Sequence, residues 1–357
     1  MAKGELAAGA LLVFLLASGD FTVSSLLLVR TLPVEIHDQL ALGRPASAAW
    51  TALPLLGFVL LAAIVLARRA APDPEAPAYA GASRRGGWAH WMLLAGVALG
   101  FVAPLAGCAA GAFGGIEPAR LALSAGLPAL AVSVRLAAAA ALLAVLLGAV
   151  RVVCWPEQSA APLRAAGLVL LAVPGAFLAA GLLMSGQFGR EGLETLGGAG
   201  GSLSRHAPAS VLLGLAYFLR FAYLPLRLAE ESLRGMDPVL LESAELAGHS
   251  RTSRGLSIAL PLAWRHLLAA GALVFVLALG ELPVSQHLAP AGATPLSVWL
   301  FAEQHYGYTE AVFALSLLAG GSAALLLGLA GLAASTSAGT ARFGASGWRF
   351  FRARRVS

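Results

Sequence analysis

This chain is short of charge. Only 12% of its 357 residues are Asp, Glu, Lys or Arg, about half the share of an ordinary soluble domain. Lysine is all but missing: Lys3 is the only one. No phosphate-loop lysine of a Walker motif can therefore be present, and the chain hydrolyses no nucleotide by that route. Two cysteines, Cys108 and Cys154, are too few for a disulfide framework or a Cys/His metal motif. They read as small apolar fillers that fall near opposite membrane faces. There is no G-x-S-x-G elbow and no H-E-x-x-H helix.

What the chain has instead is apolar length. It is 59% hydrophobic with a mean hydropathy of +0.80. Eight runs approach or exceed the roughly 20 apolar residues that cross a bilayer, at about 6–28, 48–67, 91–112, 128–150, 165–184, 208–229, 266–288 and 310–333. In lipid each must be helical, because no water satisfies a bare backbone there. The expected fold is an all-α polytopic membrane helix bundle of about eight crossings.

The formal net charge of +6 is then an orientation signal and not a nucleic-acid one. With the polar stretch 231–265 set in the cytoplasm, seventeen Lys and Arg residues fall on that side, from Lys3 through the Arg349–Arg355 cluster. Five fall outside: Arg30, Arg44, Arg120, Arg190 and Arg205. That asymmetry supports eight crossings with both ends inside. The terminal arginine cluster reads as a topology anchor or a contact to membrane lipid.

The stretch 231–265 has its own grammar. Asp237-Pro238 is a helix start, with Asp to cap and Pro at the first helical position. Leu240, Leu241, Ala244 and Ala247 recur at helical spacing, and Gly248 suits the left-handed stop. The residues His249 to Gly255 turn the chain, and Pro261 tolerates the start of the next helix. Glu242-Ser243-Ala244, three residues, Gly248, nine residues and Ile258-Ala259-Leu260-Pro261 resemble the cytoplasmic coupling loop of binding-protein-dependent ABC importer permeases. The family pattern is E-A-A, three residues, G, nine residues, I-x-L-P. The one departure is Ser243, small for small. The resemblance implies that Glu242, Ser243, Ala244, Gly248, Ile258, Leu260 and Pro261 seat against a separate ABC ATPase subunit. It implies a transporter, not an enzyme, with no cofactor of its own.

An internal repeat sets the organisation. Leu6-Ala7-Ala8-Gly9-Ala10-Leu11 matches Leu268-Ala269-Ala270-Gly271-Ala272-Leu273. One residue out of step, Val13 to Asp20 matches Val274 to Glu281. The second copy follows the coupling loop; the first follows Met1. The chain thus looks like the last two helices of one permease half (1–67), a cytoplasmic linker (68–90) rich in Pro and Arg, and a complete six-helix half (91–357). The recurrence at 268–281 also argues against reading the N-terminus as a cleaved signal peptide. Gly19-Asp20-Phe21 with Thr31 to Ile36, and Gly280-Glu281-Leu282-Pro283 with Leu296-Ser297-Val298, are similar to fused permeases of the iron(III) and thiamine group. That resemblance implies a bacterial inner-membrane location, an extracytoplasmic substrate-binding protein, and a second permease half as a separate polypeptide or a second copy of this chain.

Polar residues inside apolar runs are the candidates for a substrate path. Asp20 and Glu281 correspond in the repeat, and two opposed carboxylates favour a cation; the structural alternative is that Gly280 and Pro283 break the helix and Glu281 serves the freed backbone N–H groups. Arg135 and Arg220 are the alternative, lining an anion path or pairing with a carboxylate. Two other readings of the chain stay open: a truncated remnant that couples to nothing, since only one coupling loop is present, and a membrane-embedded transferase, for which no convergent catalytic set is seen.

Overall fold

The computed structural model describes residues 10–69, 96–112, 116–155, 161–183, 209–289, 292–306 and 310–330, apart from positions 12, 15, 16, 18, 97 and 311. Of the expected linker 68–90, Arg68 and Arg69 belong to the helix Pro45–Arg69; its residues 70–90 and the terminal arginine cluster lie outside the described residues. Among the described residues the secondary structure is helical, with no strand.

In chain order the helices are α1 (Thr22–Leu26), α2 (Leu32–Ala41), α3 (Pro45–Arg69), α4 (Ala103–Ala112), α5 (Ile116–Cys154) and α6 (Ala161–Ala172). Then come α7 (Gly175–Leu183), α8 (Ala209–Phe221), α9 (Tyr223–Arg234) and α10 (Pro238–Leu246). The last four are α11 (Arg251–Leu279), α12 (Pro283–Leu288), α13 (Leu296–Tyr306) and α14 (Val312–Ala330).

Among the described residues three helices are long and apolar enough to cross a membrane: Gly126–Cys154, Arg251–Leu279 and Val312–Ala330. Two more qualify only as broken pairs, α6 with α7 bent by 104°, and α8 with α9 bent by 45°. The breaks have sequence causes. Pro174 lacks the N–H that would continue α6, and Pro225 does the same just past the α8–α9 joint. The expected run 266–288 ends early, because the chain leaves the helix at Gly280 and restarts at Pro283. The run 48–67 lies in α3, a helix of 25 residues.

Small residues bring the helices together. Ala137, Ala140 and Ala144 of α5, Ala216 and Tyr217 of α8, and Val274 and Ala278 of α11 form the main core with Val284 and Leu288 of α12. A second core joins Ile36 of α2 and Ala48, Ala52 and Val59 of α3 to Leu168, Ala172 and Ala176. The N-terminal segment thus packs on the broken α6–α7 pair. Close alanine packing is how helices associate where lipid offers no hydrophobic drive. Large apolar side chains such as Trp50, Leu61, Leu142 and Leu146 point outward, as a lipid-facing surface requires.

The coupling stretch departs from expectation at one place. No new helix begins at Pro261. Helix α11 starts at Arg251, capped by Ser250, whose Oγ accepts from the Ser253 N–H at 3.3 Å. It then widens into a π turn over Gly255–Ala259 before Leu260. Local widening of this kind re-routes the backbone bonds that Pro261 cannot donate. It also lays Gly255 on α5: a Cβ there would meet Val153 O at 2.4 Å and Val153 Cα at 2.7 Å. Those are backbone atoms that cannot swing away. Gly255→Ala should therefore destabilise the chain by about 1–3 kcal/mol, read as a lower unfolding temperature in detergent. Gly57→Ala, where nothing lies within 4 Å, should leave it unchanged or raise it. Equal behaviour of the two variants would refute the close contact of α11 with α5.

Candidate functional site: a buried ion pair and an exposed short helix

The break between α6 and α7 leaves backbone groups to be satisfied at the depth of an apolar core. Arg220, at the end of α8, supplies a donor: its Nη1 bonds Val173 O at 2.9 Å. Its Nε lies 3.0 Å from Oε2 of Glu281, with only 12% and 8% of the two side chains exposed. The other carboxylate oxygen, Oε1, accepts from the Val284 N–H at 3.4 Å, in the first turn of α12. A cation thus sits at the carbonyl end of α6 and an anion at the amide end of α12. Each charge opposes the partial charge of its helix end, and each neutralises the other.

Neighbouring hydroxyls complete the join. Tyr217 Oη and Ser285 Oγ are 2.6 Å apart. Ser285 Oγ and Ser297 Oγ both donate to the carbonyl of Glu281. Ser133 of α5 accepts from the Leu296 N–H at 2.7 Å. Gly175 leaves the space the pair occupies, since a Cβ there would lie 2.8 Å from Glu281 Oε1 and 3.0 Å from Arg220 Nη1.

The structure therefore brings the cation candidate Glu281 and the anion candidate Arg220 into one pair. Asp20, the repeat partner of Glu281, is half-exposed. It caps α1, with Oδ1 accepting from Thr22 N–H at 3.2 Å and Oδ2 from Val23 N–H at 3.0 Å. The two acids serve the same backbone role after equivalent glycine turns. Arg135 is exposed on α5 and donates to Ala131 O one turn back. Residues next to both glycine turns, Thr22 and Gly280, line one cavity of about 340 Å³ with Ser297, Gln304 and Ser316. Its lining holds hydroxyls and an amide, with no charged side chain.

At the other end of the core, α10 has the geometry its sequence specifies. Asp237 Oδ1 accepts from Val239 N–H at 3.0 Å, and Pro238 opens the helix. At the stop, His249 N–H bonds Ala244 O at 3.0 Å and Gly248 N–H bonds Glu245 O at 2.9 Å. This crossed pair is a Schellman motif, and it needs the left-handed backbone that Gly248 adopts at φ +84°. Arg254, buried at 5% exposure, holds α10 from beneath. Its Nη1 bonds Glu245 Oε2 at 2.8 Å and Leu241 O at 3.3 Å.

Of the residues expected to meet an ATPase subunit only Ala244 is buried. Glu242, Ser243, Gly248 and Pro261 are exposed, and Ile258 and Leu260 are half-buried. Three apolar side chains of α10 stand in the open: Leu246 at 90%, Val239 at 60% and Leu240 at 46% exposure.

Sequence reasoning missed one constellation. His37 Nδ1 and His287 Nε2 lie 3.0 Å apart, joining α2 to α12. Burial holds His37 below the ordinary imidazole range, against the raising influence of Asp38. The signal was present: Leu32-Pro33-Val34 precedes His37 as Leu282-Pro283-Val284 precedes His287, with the same spacing.

The ion pair gives a direct test. Glu281→Gln or Arg220→Met alone leaves a buried charge without its partner and should cost about 3–5 kcal/mol. The double variant Arg220→Met/Glu281→Gln should recover a large part of that loss. A double-mutant cycle in detergent reads the coupling; simple additivity would show the two groups to be independent.

No family model matches this chain, and no curated protein matches it either.

Proposed function

We propose that this chain is a transmembrane permease subunit of an ATP-driven importer of the binding-protein-dependent ABC class. The observation that carries the reading is α10: a short, capped helix anchored by Arg254 that shows Val239, Leu240 and Leu246 to the outside. It coincides with the sequence pattern from Glu242 to Pro261. Such a helix suits docking into a groove on an ATPase subunit.

In this reading eight crossings place both termini in the cytoplasm of a bacterial inner membrane. An extracytoplasmic binding protein delivers substrate to the outer mouth, and ATPase closure on α10 switches access. The second docking loop comes from another polypeptide or a second copy of this chain. Iron(III) or another cation is the substrate class that the resemblance favours. Asp20 supports it; the charge of Glu281 is already matched by Arg220. The neutral cavity beside Thr22 and Gly280 is the proposed waiting place between the two repeat copies.

Leu246→Glu tests the docking. Its side chain is almost fully exposed, so the variant should insert and melt like the parent. Affinity purification from native membranes in mild detergent should recover an ABC ATPase with the parent chain, and at least tenfold less with the variant. Equal recovery, or no ATPase with the parent, would refute the reading.

A further inference from the structure

The two histidines that join α2 to α12 are held in a particular geometry. His37 Nδ1 and His287 Nε2 are 3.0 Å apart, and their ring centres are 4.8 Å apart with planes inclined at 52°. A collinear N–H···N bond of this length sets ring centres about 5.3 Å apart, since each centre lies about 1.15 Å behind its nitrogen. Rings that both aim at one ion about 2.05 Å from each nitrogen have centres about 4.7 Å apart. The observed spacing is close to the second case.

The bite is also informative. Two nitrogens 3.0 Å apart subtend about 94° at an ion bound at the usual imidazole distance. A tetrahedral angle would need about 3.4 Å between them. A near right angle belongs to octahedral or square-planar coordination, and imidazole is a ligand for borderline metals such as Ni(II) and Cu(II). It is a poor match for a hard ion that prefers oxygen.

We propose that His37 and His287 form a binding site for one borderline divalent metal ion, which clamps the N-terminal segment to α12. The ion replaces the proton that otherwise lies between the two nitrogens. Among the described residues no group of three His, Cys, Asp or Glu side chains could hold a metal, so water fills the remaining positions. His37 also lines a cavity of about 310 Å³ with Ser24, Ser25, Arg30 and Asp38. The Phe21 ring lies against His37, with ring centres 4.2 Å apart and planes inclined at 37°. The ends of the bridge are far apart in sequence, so a metal here ties the packing of α2 to that of α12. The inference does not depend on the transporter reading, and its test needs no ATPase.

The full-length chain in detergent, freed of metal by chelation, is titrated with NiCl₂ by calorimetry and followed by thermal unfolding. CuCl₂ is added in parallel for electron paramagnetic resonance. One ion should bind per chain, raise the unfolding temperature, and give a copper signal split by two imidazole nitrogens. His37→Ala and His287→Ala should each weaken binding by more than the roughly 10–100-fold that loss of an outer-shell partner costs, and abolish the thermal shift. His305→Ala, an exposed control, should change neither. If a histidine variant fails to fold, the copper spectrum of the parent chain still decides. A signal without two imidazole nitrogens, or metal binding unaltered in both variants, overturns the proposal and leaves the pair a hydrogen bond alone.

Discussion

A helix broken inside an apolar core strands backbone groups at both of the ends it creates, and the Arg220–Glu281 pair resolves two such breaks together. The guanidinium takes a carbonyl released before Pro174, and the carboxylate takes an amide of the turn after Pro283. Neither residue could do this alone without leaving a bare charge. An unpaired ion in a low-dielectric setting is expensive by several kcal/mol. The pair therefore forces α6, α8 and α12 to assemble as one unit. The small residues around it follow: Gly175 because a Cβ has no room, and the alanines of α5 and α8 because the helix axes must come close enough for the two side chains to meet.

The end of the bundle at α10 uses a similar device to a different end. Arg254 is as buried as the ion pair, and it binds Glu245 and a carbonyl of the preceding helix. Here the anion is largely exposed, and the result is a helix fixed at its base and open at its tip. Gly255 presses the start of α11 onto Val153, so α10 is carried on the end of the long α5. Three exposed apolar side chains on a helix of nine residues are a weak design for a surface that meets only water.

Local chemistry was legible in the sequence and long-range pairing was not. Asp237, Pro238 and Gly248 each announce a cap because the relevant bonds reach only a few residues away. The apolar runs located helices but missed the break at Pro174, since hydropathy sums over a window; the break between Gly280 and Pro283 was legible from the residues themselves. Asp20 and Glu281 were legible as a repeat, and the structure gives both the same capping role. Their facing partners were not legible: a carboxylate free to attract a cation and one neutralised by a distant arginine have the same sequence. The histidine pair was half legible. The Leu-Pro-Val-x-x-His spacing occurs in both copies, but only packing shows that the two imidazoles meet.

Helix α12 is where these constraints converge. It has six residues, too few to be stable by itself, and it is held on every side by others. Glu281 ties its start to Arg220, Ser285 binds Tyr217 in the core, and His287 reaches His37 of the N-terminal segment. Val284 and Leu288 fill the apolar space between. Because the Gly280 break frees this short helix from the axis of α11, its position is set by these contacts and not by the long helix before it. Displacing the N-terminal segment would therefore act on α12 first, and through Glu281 on the broken α6–α7 pair. The second apolar core, which seats α3 on the same broken pair, closes the circuit: the N-terminal segment touches both sides of the Arg220–Glu281 join. That connectivity makes it an integral wall of the bundle rather than an appendage, even though the repeat marks it as the counterpart of a segment that lies after α10.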